Sequence, residues 1–308
     1  MSGNLPRSPG RRHAARSGPS VAPPAHRTRG RHRFLEWDTY RVEREWRRYE
    51  GTPLRDLYRE LRERFLERHR PTGPGRSLEI GPGPGRFTSR LGSGEDHVVL
   101  LEISRSMLDR VRADVSPDVQ GRLDLVQGDA VDPPFRGGRF QQVVMMGNVL
   151  GFAEEDAPEL LSRAVALVAP SGQLILEFIA GPGERSRYLH RLPPGAIARL
   201  LAAPLQAIQP RVEREGFDRV PDRGKAEHRF RRFAPDEIRT RLEAAGLRVR
   251  DLLAVAPCLG NDPSRLTVVR TVPGAWVHLL ELEEAVGRAA ERQRHAAALL
   301  LAAGRPAE

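Results

Sequence analysis

The sequence predicts an α/β fold built on a mostly parallel β-sheet with helices on both faces. Two observations lead to this prediction. From Ser77 onward, short apolar runs alternate with segments whose apolar residues recur at helical spacing. In addition, the first apolar run ends in a glycine-rich turn from which a helix begins, as a strand and its following helix do in a βαβ unit.

Seven apolar runs have the length of strands, which makes the predicted sheet seven-stranded. They cover residues 77–80, 98–102, 123–127, 141–146, 173–179, 247–255 and 296–303. The helices predicted around them cover residues 53–66, 87–91, 107–115, 157–168, 235–245 and 276–292. Thr52 and Pro53 have the residue types of a helix N-cap and first turn, so they mark where the first helix begins.

Composition divides the chain into a tail and one folded domain. Residues 1–33 are rich in Arg, Pro, Ser and Gly and have little to bury, so we expect a disordered Arg-rich tail. The domain over residues 34–308 is expected to start with an aromatic-rich helical cap at 34–70. The βα rhythm breaks at 181–233, where we expect an insertion after the fifth strand that contains one antiparallel ribbon within 208–233.

The positive charge is concentrated in the tail. The net charge is +10, and residues 1–34 contain eight arginines and no acidic residue, which leaves about +2 for the remainder. A folded part this close to neutral argues against nucleic acid as the partner. No apolar run reaches the roughly 18 residues of a membrane span. Cys258 is the sole cysteine in the sequence, which excludes an intrachain disulfide and a multi-cysteine metal site and is compatible with the cytoplasm.

The strongest chemical signal is the segment from Leu78 to Phe87, LEIGPGPGRF. Glycines at 81, 83 and 85 let the backbone pass close beneath a ligand, and Glu79 lies two residues before the first of them. A dinucleotide fingerprint requires a further glycine at position 86, which is Arg86 here. Acidic residues also follow the next two strands, Glu102 after the second and Asp129 after the third.

This pattern resembles the class I S-adenosylmethionine-dependent methyltransferases, in particular the small-molecule, methyltransferase type 11/25-like members. The resemblance implies a Rossmann-like fold, a cofactor-binding core at 77–180 and C-terminal strands and a helix at 234–308. It implies that Glu102 holds the ribose hydroxyls, and that Asp129 and the backbone of Ala130 hold the adenine. The cofactor-binding residues carried over from the family are Glu79, Gly81, Pro82, Gly83, Gly85, Glu102, Ile103, Met107, Asp129, Ala130, Asn148, Leu150 and, from the cap, Tyr49.

The function implied by the resemblance is methyl transfer from S-adenosyl-L-methionine to a small molecule in the cytoplasm, by in-line displacement and without a metal. The cap and the 181–233 insertion are expected to enclose the acceptor. Two alternatives stay open, an RNA or other macromolecular methyltransferase and a catalytically silent cofactor-binding adaptor; a nicotinamide enzyme ranks third. Glu102 could instead be a solvated strand end and Asp129 a turn former. No general base is assigned, because His190 and His228 have the character of surface residues; the acceptor and the oligomeric state stay open.

Overall fold

The computed structural model describes residues 42, 51–73, 75–92, 97–181, 184–187, 194–203, 206–207, 218–221, 230–256, 258, 263–294 and 296–306. Its strands are β1 (Arg76–Ile80), β2 (His97–Glu102), β3 (Leu123–Gln127), β4 (Phe140–Met145), β5 (Val168–Ile179), β6 (Glu184–Arg187), β7 (Asp218–Pro221), β8 (Arg248–Ala254) and β9 (Ala298–Gly304). Its helices are α1 (Pro53–Arg68), α2 (Thr88–Leu91), α3 (Arg105–Asp114), α4 (Pro117–Gln120), α5 (Val149–Phe152), α6 (Ala157–Leu167), α7 (Pro194–Leu201), α8 (Pro235–Ala244), α9 (Pro263–Arg270), α10 (Ala275–Gly287) and α11 (Ala290–Arg294).

Seven of these strands form one sheet in the order β3-β2-β1-β4-β5-β9-β8. Strands β1 to β5 run parallel to one another, whereas β9 is antiparallel to both β5 and β8. The predicted mostly parallel, seven-stranded sheet is therefore confirmed. Because β1 to β4 are parallel, the turns that follow them lie at the same edge of the sheet.

Helices cover both faces of the sheet, as predicted. One face packs against α1, α7, α9 and α10, and its core includes Leu61, Phe65 and Leu279. The opposite face packs against α6 and α8, with Leu160 and Ile238 in its core. Helix α1 begins where the sequence predicts, since the Thr52 hydroxyl accepts a hydrogen bond from the backbone N–H of Arg55 at 3.3 Å. This helix belongs to the layer that covers the sheet.

Several elements differ from the sequence prediction, among them the short helices α4 and α5, which were not predicted. The antiparallel ribbon does not lie wholly within 208–233, because β7 pairs with β6, which precedes that range. Strand β5 begins at Val168, because Val168 already pairs with Phe140 of β4 across a register shift. The predicted helix at 276–292 is divided into α10 and α11, while α9 before it was not predicted. At the division, a Cβ on Gly287 would stand 2.6 Å from the Ala254 carbonyl oxygen, so the helix passes against β8 with no room for a side chain.

Among the helices within the described residues, none has both the length and the apolar character that crossing a membrane requires.

Candidate functional site

A cavity lies at the edge of the sheet where β1 to β4 end. Its wall is formed by the glycine-rich turn after β1, the ends of β2 and β3, and the turn after β4. Much of this wall is apolar, with Leu101, Val149 and Phe152 among its members. The cavity brings together nine of the residues that the sequence singled out: Glu79, Gly81, Pro82, Gly83, Glu102, Ile103, Met107, Asp129 and Ala130.

The glycine-rich turn has a backbone that other residues adopt poorly. Gly81, Gly83 and Gly85 all have positive φ angles, which cost an L-amino acid about 1–2 kcal/mol. Position 81 requires glycine for a second reason: a Cβ there would stand 2.6 Å from Cγ2 of Val149. Gly81 also donates its backbone N–H to the Leu101 carbonyl at 2.8 Å, which fixes the turn against the end of β2.

Glu102 ends β2 and faces this turn. Its carboxylate accepts the backbone N–H of Gly83 at 3.0 Å and that of Ser104 at 3.0 Å, and its side chain is 7% exposed. A carboxylate has about four acceptor positions, and these two bonds use one on each oxygen. Glu102 is therefore no solvated strand end: it shapes the turn, and it has the chemistry to accept hydroxyl donors from a ligand.

Glu79 lies on β1 beneath the turn and is 2% exposed. Its Oε2 accepts a hydrogen bond from the Thr88 hydroxyl at 2.7 Å. Burial is the main cause that raises the pKa of Glu79 to about 7; the hydrogen bond from Thr88 lowers this pKa in part, and the negative charge of Glu102 contributes to the rise. A buried carboxyl group that is part-protonated near neutral pH would be ionised fully by a cationic group next to it.

Asp129 and Ala130 follow β3 at the far side of the cavity. Asp129 Oδ1 accepts the backbone N–H of Val131 at 3.0 Å, which is an Asx-type turn. The turn-forming role considered from the sequence is thus present. It coexists with a place in the cavity wall, since Asp129 and Ala130 both line it.

Three of the carried-over residues are not among those that line the cavity, within the described part of the chain. Gly85 faces α3, where a Cβ would stand 2.9 Å from Cγ2 of Val111, so it permits close packing of the turn on that helix. Leu150 is 0% exposed and belongs to the core on the α6 side of the sheet. Asn148 turns toward β5. Tyr49, the residue predicted from the cap, lies outside the described residues, as do His190 and His228.

Asn148 stabilises a strained turn after β4. Gly147 and Asn148 have φ angles of 73° and 67°, and Asn148 is buried. The Asn148 side-chain oxygen accepts the backbone N–H of Ile179 at 3.1 Å, and a Cβ on Gly151 would overlap that side chain. Left-handed backbone at a non-glycine residue persists where its surroundings hold it, and it concentrates at functional sites. Asn148 therefore does not line the cavity but stabilises the turn whose residues Gly147 and Val149 do.

Arg62, Arg86, Met146 and Phe152 also line the cavity and were not singled out from the sequence. Gly147 and Val149 line it too, and they belong to the segment after the fourth strand, 147–151, that the family resemblance places at the cofactor. Arg62 had no such signal, because it is one of many arginines on a helix and its partner lies far along the chain.

The cavity combines apolar walls with three carboxylates: Glu79 lies within β1, Glu102 ends β2, and Asp129 follows β3 by two residues. Such a site suits a ligand with hydroxyl and amino donors and a net positive charge. Within the described residues, no group of three or more His, Cys, Asp and Glu side chains is arranged to hold a metal ion.

Residues 78–172 match a protein-family model described as a methyltransferase domain. A curated relative, the protein-L-isoaspartate O-methyltransferase of Nitrobacter winogradskyi, is 32% identical over 124 residues. That alignment covers 40% of this chain and 54% of the relative, so the chain spans about half the length of the curated protein it matches.

Two solved structures also resemble the chain. The glycopeptide N-methyltransferase MtfA complexed with S-adenosyl-L-methionine is 23% identical, with a TM-score of 0.46 over 81% of this chain and 94% of that one. The geranyl diphosphate C-methyltransferase of Streptomyces coelicolor is 13% identical, with a TM-score of 0.48 over 80% of each chain. The family match covers most of β1, all of β2 to β4 and nearly all of the cavity wall, whereas Arg62 lies outside it.

Proposed function

We propose that this chain, whose residues 78–172 match the methyltransferase-domain family, is a class I methyltransferase that transfers the methyl group of S-adenosyl-L-methionine to a small-molecule acceptor. The observation that carries the proposal is the convergence of three carboxylates on one cavity. Glu79, Glu102 and Asp129 come from three successive parallel strands and meet the glycine-rich turn there.

The residues present fit this cofactor. Its ribose hydroxyls and adenine amino group are donors, and Glu102 and Asp129 offer carboxylate acceptors. Its sulfonium and ammonium groups are cationic, and Glu79 is a buried carboxyl group in the same wall. Ile103 and Met107 supply apolar surface next to Glu102, as a nucleobase requires. When bound, the cofactor supplies an activated methyl group; the chain's own residues orient it and exclude water.

A small acceptor is supported by the segment that returns from the insertion. The backbone N–H of Arg231 donates to the Gly151 carbonyl at 2.9 Å, so residues 230–233 run along the turn after β4. Phe230 and Phe152 meet edge to face with ring centroids 6.2 Å apart, and Phe152 lines the cavity. The end of the insertion at Phe230 and Arg231 therefore lies at the cavity rim. A cavity entrance bordered in this way is less accessible to a nucleic-acid duplex or a protein surface than to a small molecule.

The proposal is tested in two steps with the full chain. Calorimetry measures whether S-adenosyl-L-methionine binds, and the affinity of the Glu102→Ala variant is measured for comparison. The loaded protein is then incubated with a metabolite mixture and cofactor labelled in the methyl group, and label is sought in small-molecule, RNA and protein fractions.

We expect binding in wild type, weaker binding in the variant and label in a small molecule. Label in RNA or protein alone would overturn the small-molecule assignment. Tight binding with label in none of the three fractions would favour the silent adaptor.

A further inference from the structure

Glu79 is a buried carboxyl group in the cavity wall whose surroundings offer little to stabilise a negative charge. It lies within β1, and its side chain receives a hydrogen bond from a neutral donor, the Thr88 hydroxyl, at 2.7 Å. The Glu102 carboxylate on the neighbouring strand accepts two backbone N–H groups, which favour its ionised form. Of these two carboxyl groups, Glu79 is therefore the one that keeps a proton more easily.

The cations around the cavity leave the Glu79 charge largely uncompensated. The charged side chains that line the cavity together with Glu79 are those of Arg62, Arg86, Glu102 and Asp129. The Arg62 guanidinium on α1 binds the Glu177 carboxylate on β5, with Nε 2.9 Å from Oε2, so these two charges offset each other. Arg86 is partly exposed, and solvent screens its charge. Burial and the charge of Glu102 raise the pKa of Glu79 to about 7.

The strand order places Glu79 next to the nucleoside end of the cavity. Strand β1 lies directly beside β2, which ends in Glu102, and β3 follows on the far side. The proposed function assigns the nucleoside to Glu102 and Asp129, at the ends of these two strands. Since the sulfonium of the cofactor is attached directly to the ribose, its positive charge would come close to β1, where Glu79 lies beneath the glycine-rich turn.

We propose that Glu79 distinguishes the charged cofactor from its uncharged product, because it releases a proton when S-adenosyl-L-methionine binds and takes one up after methyl transfer. This inference rests on the proposed function and adds a proton linkage to it. A cation close to a carboxyl group favours its ionised form. The product S-adenosyl-L-homocysteine has a neutral thioether in place of the sulfonium, so it lacks the charge that ionises Glu79.

Charges and protons balance over one turnover. Methyl transfer breaks the bond between sulfur and the methyl carbon, leaves its electron pair on sulfur and forms a bond from that carbon to the acceptor. An acceptor with an O–H, N–H or S–H group loses one proton, and Glu79 gains one. The net charge of the filled site is therefore the same before and after transfer, which a site of low dielectric favours.

The test counts protons by calorimetry on the full chain, at pH 6 in two buffers with different heats of ionisation. The ligands are S-adenosyl-L-methionine and S-adenosyl-L-homocysteine, which differ in the methyl group and the charge on sulfur. The variants are Glu79→Gln, which cannot ionise, and Thr88→Val, which removes the hydroxyl that lowers the pKa of Glu79. Glu159→Gln is the control, because it replaces an exposed carboxylate that pairs with Arg163. Melting curves verify that each variant is folded.

In wild type at pH 6, we expect S-adenosyl-L-methionine to release at least about half a proton more than the product does, because Glu79 is then mostly protonated without ligand. Its affinity relative to the product should rise about tenfold from pH 6 to pH 8, as the ionised fraction of Glu79 rises from about a tenth to about nine-tenths.

The variants separate Glu79 from the titrating groups of the ligands. In Glu79→Gln the extra proton release should disappear, and the pH-dependent rise should shrink to what the ligands themselves cause. In Thr88→Val the pH of half-complete release should shift upward, since the pKa of Glu79 rises when this hydrogen bond is lost. Glu159→Gln should behave as wild type.

Equal proton release for the two ligands in wild type overturns the inference, even if no variant folds, and leaves the proposed function standing. Extra release that persists undiminished in Glu79→Gln also overturns it, because another group then supplies the proton. A folded Thr88→Val without the upward shift counts against it as well. If wild type binds neither ligand, the proposed function itself fails, and the inference fails with it.

Discussion

Glu102 at the end of β2 accepts a hydrogen bond from the backbone N–H of Gly83 at 3.0 Å. This bond joins the acid of the second strand to the glycine-rich turn of the first. One carboxylate therefore both shapes the turn and lines the cavity.

Replacing Glu102 by alanine should weaken S-adenosyl-L-methionine binding by about 1–3 kcal/mol, because the ligand loses a charged acceptor and the N–H groups of Gly83 and Ser104 lose theirs. Asp129→Ala should weaken binding less, since adenine also has apolar contacts. Calorimetry on the folded variants measures both effects, with Glu159→Ala, at an exposed ion pair with Arg163, as control. Unchanged affinity in Glu102→Ala would show that the carboxylate serves the turn alone.

Glu79 should make the folded protein less stable as the pH rises. Its pKa is raised from 4.5 to about 7 by burial, so between these values the folded chain holds a proton that the unfolded chain has released. The contribution of the protonated group to the free energy of unfolding is complete below about pH 4.5 and is lost by about pH 7. The loss is about 3 kcal/mol. Urea unfolding from pH 5 to pH 8 should show this slope in wild type and not in Glu79→Gln; equal slopes would contradict it.

Gly85→Ala should destabilise the fold more than Gly138→Ala. Both glycines have positive φ angles, so both substitutions incur a left-handed backbone cost of about 1–2 kcal/mol. At Gly85 the new Cβ also stands 2.9 Å from Val111, whereas at Gly138 nothing lies within 4 Å. The overlap should add about 1–3 kcal/mol, measured as the difference in free energy of unfolding. Equal losses would mean that α3 moves aside at little cost.

Deleting residues 1–33 should leave the melting temperature and the cofactor affinity nearly unchanged, because this Arg-rich segment has few apolar residues to bury. Any affinity for RNA should fall with the deletion and with added salt, since eight arginines lie in residues 1–34. Binding of labelled RNA to the full and shortened chains measures this. Tight RNA binding by the shortened chain at physiological salt would count against a small-molecule acceptor.

Residues 34–50, which lie almost wholly outside the described part of the chain, are predicted from their aromatic content to close over the site. S-adenosyl-L-methionine should then protect them from hydrogen exchange. Tyr49→Ala should lower methyl transfer more than it lowers the melting temperature, with Tyr58→Phe on α1 as the comparison. Equal exchange of 34–50 with and without cofactor would show that this segment does not act as a lid.

The sequence by itself determined the architecture and the part of the cavity wall formed by the first three strands and their turns. Strands show as apolar runs and helices as a 3.6-residue period, so the alternation that defines the sheet is local information. Glycines at positions that need a positive φ angle, and acidic residues at strand ends, can likewise be recognised from the local sequence. The pattern therefore sufficed to place Glu79, Gly81, Glu102 and Asp129 in one cavity, because parallel strands end at a common edge.

Tertiary structure alone decided which side chains meet across long separations. Arg62 and Glu177 are 115 residues apart, and nothing near either one indicates the other. The same holds for Asn148, whose side chain bonds to β5, and for β6, which pairs with β7 across the insertion. Such pairings depend on the register of strands and the rotation of helices, which are set by packing of the whole core. The sequence pattern within one segment therefore does not predict such pairings.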